Sequence, residues 1–223
     1  MRGAAEAVPV EEGTRGFGEA FRAELARLVA WRRDVRRFRP DPVPDGVVRE
    51  LIALASLAPS VGNSQPWRWV LVESAHRRAA IVAEFERANA EAGRAYRGER
   101  AAAYAALKLA GLREAPVHLA VFCDEAAAAG HGLGRATMPE TLRYSVVAAV
   151  HALWLLARAR GIGVGWVSIL DPRAVAEALD VPDAWCLVAY LCIGWPEEEH
   201  QDPELVRHGW QARLDQGSAV TTR

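Results

Sequence analysis

Apolar residues at Phe21, Leu25, Leu28 and Val29 fall on one stripe of a 3.6-residue period and predict a helix over residues 17–31. Pro40, Pro42 and Pro44 break the chain behind it, and Asp45 is placed to cap a second helix over residues 47–58. The alternating, aromatic-rich run from Trp67 predicts a strand over residues 67–72. Residues 75–112 are rich in Ala, Arg and Glu with few large apolar side chains, which predicts two lightly packed helices and a candidate lid. Pro116 opens a second strand over residues 117–123, and the Ala/Gly-rich stretch 126–136 reads as a surface loop. A long helix over residues 141–160 runs into Gly161-Ile162-Gly163-Val164-Gly165, where the glycines suit a helix stop and close packing. Strands over residues 166–170 and 187–193 flank a short helix over residues 172–179, and Trp210 anchors a polar tail carrying Arg207 and His208.

Helices and strands in this order do not alternate as a doubly wound parallel sheet requires. The expected fold class is α+β, a mainly antiparallel sheet flanked by helices. At 223 residues the chain can bury one substantial core. The expected organisation is a flexible segment over residues 1–16, a single domain over 17–213 with its lid near 75–112, and a tail over 214–223.

With 51% apolar residues, 25% charged residues and a net charge of −1, the chain has the profile of a soluble globular protein. A general polyanion binder carries a basic excess over its whole domain, so no nucleic-acid partner is expected. The longest apolar run, residues 146–157, is short for a bilayer and reads as a core helix, so no membrane partner is expected. Cys123, Cys186 and Cys192 show no CxxC spacing, which points to buried thiols in a reducing cytoplasm. His76, His118, His131, His151 and His200 show no metal-ligand spacing, and no metal is expected.

Against this neutral background, Arg32-Arg33-Asp34-Val35-Arg36-Arg37-Phe38-Arg39 sets five guanidinium groups around one carboxylate. Guanidinium forks match phosphate oxygens, so the cluster suggests a phosphorylated ligand. The same cluster could simply complement a helix C-terminus, and Asp34 could simply order its arginines. In the loop Pro59-Ser60-Val61-Gly62-Asn63-Ser64-Gln65-Pro66, glycine permits close backbone approach while Ser, Asn and Gln supply hydrogen bonds that suit the edge of a planar heterocycle, although composition alone favours a plain polar helix-to-strand turn. The glycines at 161–165 follow a helix and lead into a strand, the reverse of a dinucleotide-binding loop.

Taken together, Arg32-Arg33-Asp34-Val35-Arg36, Ala58-Pro59-Ser60-Val61-Gly62 with Gln65-Pro66-Trp67, and Gly163-Val164-Gly165-Trp166-Val167-Ser168-Ile169 resemble the 5,6-dimethylbenzimidazole synthase family. These are flavoproteins of the nitroreductase fold, and the likeness runs from about residue 25 to residue 213. Each motif alone is shared with ordinary nitroreductases, which usually carry serine or another small polar residue where this chain has Asp34. The resemblance implies that Arg32, Arg33 and Arg36, with Val35 between them, hold the phosphate and ribityl end of reduced FMN. It further implies that the loop from Ser60 to Gln65 meets the flavin, that the Gly62 amide lies where dioxygen is held, and that Ser168 touches the ring. Arg100 and Lys108 in the lid are further implied contacts. His208 stands where the family has lysine, which weakens one phosphate contact that Arg207 could restore.

The family's reaction consumes its flavin: reduced FMN takes up dioxygen and fragments to 5,6-dimethylbenzimidazole and erythrose 4-phosphate. Ribityl C1′ becomes C2 of the product, and removing its hydrogen calls for a placed base, the implied role of Asp34. Neighbouring arginines would lower the Asp34 pKa and burial would raise it; the sequence leaves that balance open. The resemblance also implies a homodimer with sites at the interface and reduced flavin delivered by a flavin reductase. The long helix, through Val146, Val150, Leu153, Trp154 and Ala157, is the expected dimer core. The competing readings are an NAD(P)H-dependent nitroreductase or flavin reductase, and a non-enzymatic flavin-binding protein.

Overall fold

Strand β2 (Val117–Asp124) is buried along both faces, which puts it inside a sheet rather than at an edge. In the computed structural model, which describes residues 16–223, it pairs antiparallel with β1 (Trp67–Leu71) on one side and β4 (Trp185–Gly194) on the other. Strand β3 (Gly163–Val167) completes the order β1-β2-β4-β3, again antiparallel. The expectation for the N-terminal segment lies outside the described residues, apart from Gly16.

Helices cover both faces of this sheet. Helices α2 (Asp45–Ala55) and α5 (Thr141–Ala159) pack on one face through Leu51, Val146, Val150 and Leu153 against Leu119, Val121 and Leu191. Helices α3 (Ala75–Gly93) and α6 (Pro172–Leu179) cover the other through Ile81, Val175 and Leu179 against Phe122 and Tyr190. Helix α6 starts where its sequence says it should: the Asp171 carboxylate accepts the Arg173 N–H, and Pro172 opens the first turn.

Several expectations are corrected. Asp45 is the first residue of α2 rather than its cap, because the chain enters the helix through Pro44. The third strand takes in Gly163 and Gly165 and ends at Val167; Gly161, with φ 75° just past α5, does stop that helix, while Gly163 and Gly165 supply the close packing from within the sheet. The reason is tertiary: a Cβ on Gly165 would collide with the Val35 carbonyl, and one on Gly163 would meet Val35 and Pro196. Helix α3 is no lid, since Ile81 is wholly buried and Arg78 donates to the Val72 and Pro116 carbonyls. Only α4 (Gly98–Ala106), which buries no side chain, packs lightly. The stripe of Val146, Val150, Leu153, Trp154 and Ala157 that was expected to face a partner is buried in this chain's own core. Helix α5 is in fact 19 residues long with mean hydropathy 1.2, long and apolar enough to span a membrane by those measures, but Leu142, Val146, Val150, Leu153 and Trp154 are buried in the core, while Tyr144 and Val147 are exposed. Of the cysteines, Cys123 and Cys192 are buried and Cys186 is only partly so.

One buried polar pair gives the fold a measurable pH dependence. His118, fully enclosed on β2, shares a 2.9 Å hydrogen bond between Nδ1 and the Tyr190 hydroxyl. Burial lowers its pKa from 6.5 to about 4, with Arg78 nearby adding to the effect. The native state therefore holds fewer protons than the unfolded state between those values. The stabilising contribution is complete above 6.5 and is lost as pH falls through about 4. Tm should drop over that window, on the order of 3 kcal/mol in stability. His118→Gln, which keeps a hydrogen-bonding partner for Tyr190 but cannot titrate, should flatten the curve; an unchanged pH profile would show that His118 titrates normally.

Candidate active site

Beyond α1 (Glu19–Trp31) the chain runs extended alongside β3: the Val35 N–H donates to the Val164 carbonyl at 3.1 Å, a parallel bridge that extends the sheet by a few residues. Trp154 Nε1 on α5 donates to the Arg33 carbonyl at 3.2 Å and fixes the segment from the other side. With its backbone held twice, the segment projects its side chains in defined directions.

Four of the five arginines of the segment have different fates, and the fifth, Arg39, pairs with Asp41 on the surface. Arg32 stacks over the Trp154 ring at 4.8 Å and has no carboxylate partner among the described residues. Arg33 donates to the Arg32 and Gln201 carbonyls, also without an ion pair, and its Nε is buried with no hydrogen bond. Burial and the like charges of Arg213 and Arg32 hold the Arg33 guanidinium below its usual pKa, and only Asp202 pulls the other way. A pair of guanidiniums that repel each other and make no ion pair fits an anionic ligand such as a phosphate. Arg36 and Arg37, by contrast, are already neutralised. Arg36 Nε donates to Asp34 at 2.9 Å, and Arg37 Nη1 donates to Glu204 at 2.8 Å and Glu198 at 3.1 Å.

Asp34 points inward. Its Oδ1 accepts the Trp166 N–H at 2.8 Å and its Oδ2 accepts from Arg36, while the side chain keeps 29% of its surface exposed. Burial outweighs the Arg36 charge and both hydrogen bonds, so the carboxyl pKa lies above its ordinary value. Of the two opposing influences named from the sequence, desolvation is the larger, and Asp34 also orders Arg36.

The second predicted segment lies at the other end of α5. Val61 N–H donates to Ser145 Oγ at 3.0 Å. Ser145 and Trp154 are nine residues apart on α5, about 14 Å at the helical rise. No hydrogen bond joins the loop to the arginine segment among the described residues. Gly62, Asn63 and Gln65 all have positive φ, 56°, 54° and 45°, and the Ser60 hydroxyl accepts the Gln65 N–H to hold the turn. Left-handed backbone at two non-glycine residues is strain of the kind found at ligand-contacting loops. Gly62 has no alternative: a Cβ there would press on the carbonyls of Gly130 and Leu133 at 3.0 Å. Its N–H makes no hydrogen bond among the described residues, and the buried Ser64 hydroxyl has none either.

The remaining predicted contacts are placed less favourably. Ser168 is exposed and lies just beyond the end of β3, not within an apolar strand. Lys108 is paired with Glu114, and its carbonyl rather than its ammonium meets the site, accepting from Arg36 Nη1 at 3.0 Å. Arg100 on α4 stacks on Trp210 at 4.3 Å and donates to that residue's carbonyl, so it ties α4 to the C-terminal segment. His208 Nε2 stands 3.7 Å from Glu204, and Arg207 pairs with Asp202 at 3.0 Å and so has no spare charge to replace the family's lysine. Two residues were not anticipated: Glu204, at the start of α7 (Glu204–Arg207), and Arg213. Nothing local in the sequence marks either, because both reach the site from a segment some 170 residues downstream.

Comparison with known proteins bears on the family and the fold. The family model for the nitroreductase family matches residues 29–195. The chain is 64% identical over 197 residues to the 5,6-dimethylbenzimidazole synthase of Rhodospirillum rubrum, covering 88% of this chain and 93% of that protein. It is 52% identical to the protein of the same name from Rhodobacter capsulatus, covering 89% and 96%. Among solved structures, iodotyrosine deiodinase bound to FMN and 3-iodo-L-tyrosine superposes with a TM-score of 0.67 at 28% identity, covering 79% of this chain and 91% of that one.

Proposed function

The chain belongs to the nitroreductase family, among its 5,6-dimethylbenzimidazole synthases, and from that membership we infer that it converts reduced FMN and dioxygen into 5,6-dimethylbenzimidazole and D-erythrose 4-phosphate. The product is the lower axial ligand of cobalamin. The observation that carries this reading beyond a general flavoprotein is Asp34: a carboxylate of raised pKa set among the arginines that suit a flavin phosphate.

Bound FMN supplies the carbon skeleton of the product and the electrons that reduce dioxygen. Arg32 and Arg33, whose charges have no carboxylate partner among the described residues, hold the phosphate. Asp34, next in sequence to Arg33 and held to β3 through Trp166, would then lie beside the chain that joins the phosphate to the ring. Asp34 accepts the proton from C1′, and its raised proton affinity suits it to the task better than an ordinary surface carboxylate. The strained loop presents the Gly62 N–H, free of any internal bond, to the flavin where dioxygen reacts. Ser168, at the end of β3, is within a short stretch of chain from Trp166, whose N–H orients Asp34. Helix α4 and its flanks close the cleft and keep water from the reacting ring.

Both halves of the site hang on one helix, and the protein acts as a homodimer in which each flavin draws on two chains. The exposed apolar residues Phe21, Leu25 and Val29 on α1, with Phe17 just before it and Tyr144 and Val147 on α5, support that assembly. Reduced flavin comes from a separate reductase.

The test is chemical. Reduced FMN and air, supplied with no other electron acceptor, should yield 5,6-dimethylbenzimidazole on a chromatogram, and the FMN should disappear. Intact FMN together with rapid NADPH oxidation by a nitroaromatic would make the protein an ordinary nitroreductase instead.

A further inference from the structure

We propose that Glu204 is a positioning residue for this reaction: it holds the far end of the Arg36 guanidinium away from Asp34 and so preserves Asp34 as a proton acceptor. The proposal rests on the role given to Asp34 above.

Glu204 is the least expected member of the site. Its side chain is only 9% exposed, yet it is a carboxylate inside a cluster that suits an anion. One oxygen accepts from Arg37 Nη1 at 2.8 Å and lies 3.7 Å from His208 Nε2, while the other stands 4.0 Å from Arg36 Nη1. Asp34, Arg36, Glu204 and Arg37 therefore form a chain of alternating charge that runs from the arginine segment to the C-terminal segment.

The geometry of Arg36 explains why this matters. A guanidinium that meets a carboxylate through two parallel N–H bonds makes the strongest pairing available to it. Such a pairing would hold Asp34 firmly ionised and blunt it as a base. Arg36 gives Asp34 only its Nε; its Nη1 is engaged by the Lys108 carbonyl at 3.0 Å and faces Glu204. Two separate elements, the stretch after α4 and the start of α7, thus anchor the guanidinium by the edge opposite its Nε–H, and Asp34 receives a single N–H from it. The charged and polar groups around Asp34 are Arg36 on its own segment, Trp166 N–H on β3, Cys192 on β4 and Glu204 on α7. Glu204 is the carboxylate among them, and its charge opposes ionisation of Asp34 directly as well as through Arg36.

The experiment uses Glu204→Gln, which keeps an acceptor for Arg37 but removes the charge. Aspartate labelled with 13C at Cγ reports the titration of Asp34 in the flavin-free protein, with Asp34→Asn supplying the assignment. The proton affinity of Asp34 should fall about tenfold in the variant. With reduced FMN and air, kcat for product formation at neutral pH should fall about fivefold, and the acid limb of its pH profile should move to lower pH. FMN affinity should hold or tighten, because a negative charge near the phosphate is gone; a merely structural role would weaken binding and kcat together. Should the Gln variant not fold, Glu204→Asp, which keeps the charge but shortens its reach, should lower the Asp34 proton affinity by less than tenfold. An Asp34 titration unmoved in a folded variant overturns the proposal. Failure of the wild type to form product overturns the reading of function, and the titration still reports whether Glu204 and Asp34 are coupled.

Discussion

Replacing Asp34 by Asn should cut formation of 5,6-dimethylbenzimidazole by about a thousandfold, the usual scale for removing a positioned base, and leave the fold intact. The stability half of this expectation follows from the sign of the pKa shift. A carboxyl whose pKa rises on folding binds more protons in the native state than in the unfolded one, so its ionised form costs stability as pH climbs above 3.8. Asn removes that cost while its amide oxygen can still accept the Trp166 N–H. Arg36 loses a partner at Nε but retains the Lys108 carbonyl. Tm should therefore stay within a few degrees of the wild type, and FMN binding within a few-fold, since Arg32 and Arg33 are untouched. The measurements are a chromatogram of the aerobic reaction, flavin fluorescence quenching and a melting curve. Product formation near the wild-type level would reduce Asp34 to a structural partner of Arg36. Collapse of Tm and binding together would lead to the same conclusion.

The largest effect on stability should come from Gly165→Ala. The added methyl would drive into the Val35 carbonyl oxygen, which belongs to backbone and is held in place by the bond from Val35 N–H to Val164. Backbone cannot swing aside as a flexible side chain would, so overpacking here should cost about 3 kcal/mol and displace the arginine segment from β3. Loss of FMN binding should exceed what unfolding alone explains, because Asp34 and its neighbours hang on the displaced strand. Gly46→Ala is the matched control: it lies in α2 with nothing within 4 Å of a new Cβ, and it should stabilise by about 0.5–1 kcal/mol. Urea denaturation of both variants checks the pair. A Gly165→Ala protein as stable as the wild type would mean that β3 and the arginine segment are not packed this closely.

Much of this architecture could be read from residue order, and the parts that could not share one cause. Strand β2, the long α5 and the Asp171-Pro172 start of α6 announce themselves through local pattern and capping chemistry. Gly163 and Gly165 do not, because a glycine pair looks like a chain break until Val35 is seen lying against it. Helix α3 looked weakly packed because its few apolar residues are spread thinly, yet Ile81 alone reaches deep into the second core layer. The arginine cluster was visible, but not which of its members would be neutralised; that depends on Glu198 and Glu204, which arrive from 161 and 167 residues away. The stripe on α5 was correctly seen as apolar and wrongly sent to a partner, since periodicity shows that a face is buried without showing against what.

The aromatic contacts at Trp210 have one further bearing. Tyr96, just before α4, and Tyr104, within it, pack against an indole more than a hundred residues downstream, and Arg100 stacks on the same ring. During synthesis from the ribosome, α4 emerges with no core of its own and waits for that indole. By then all four strands have been made, so α4 takes its place against Trp210 last, after the sheet is complete.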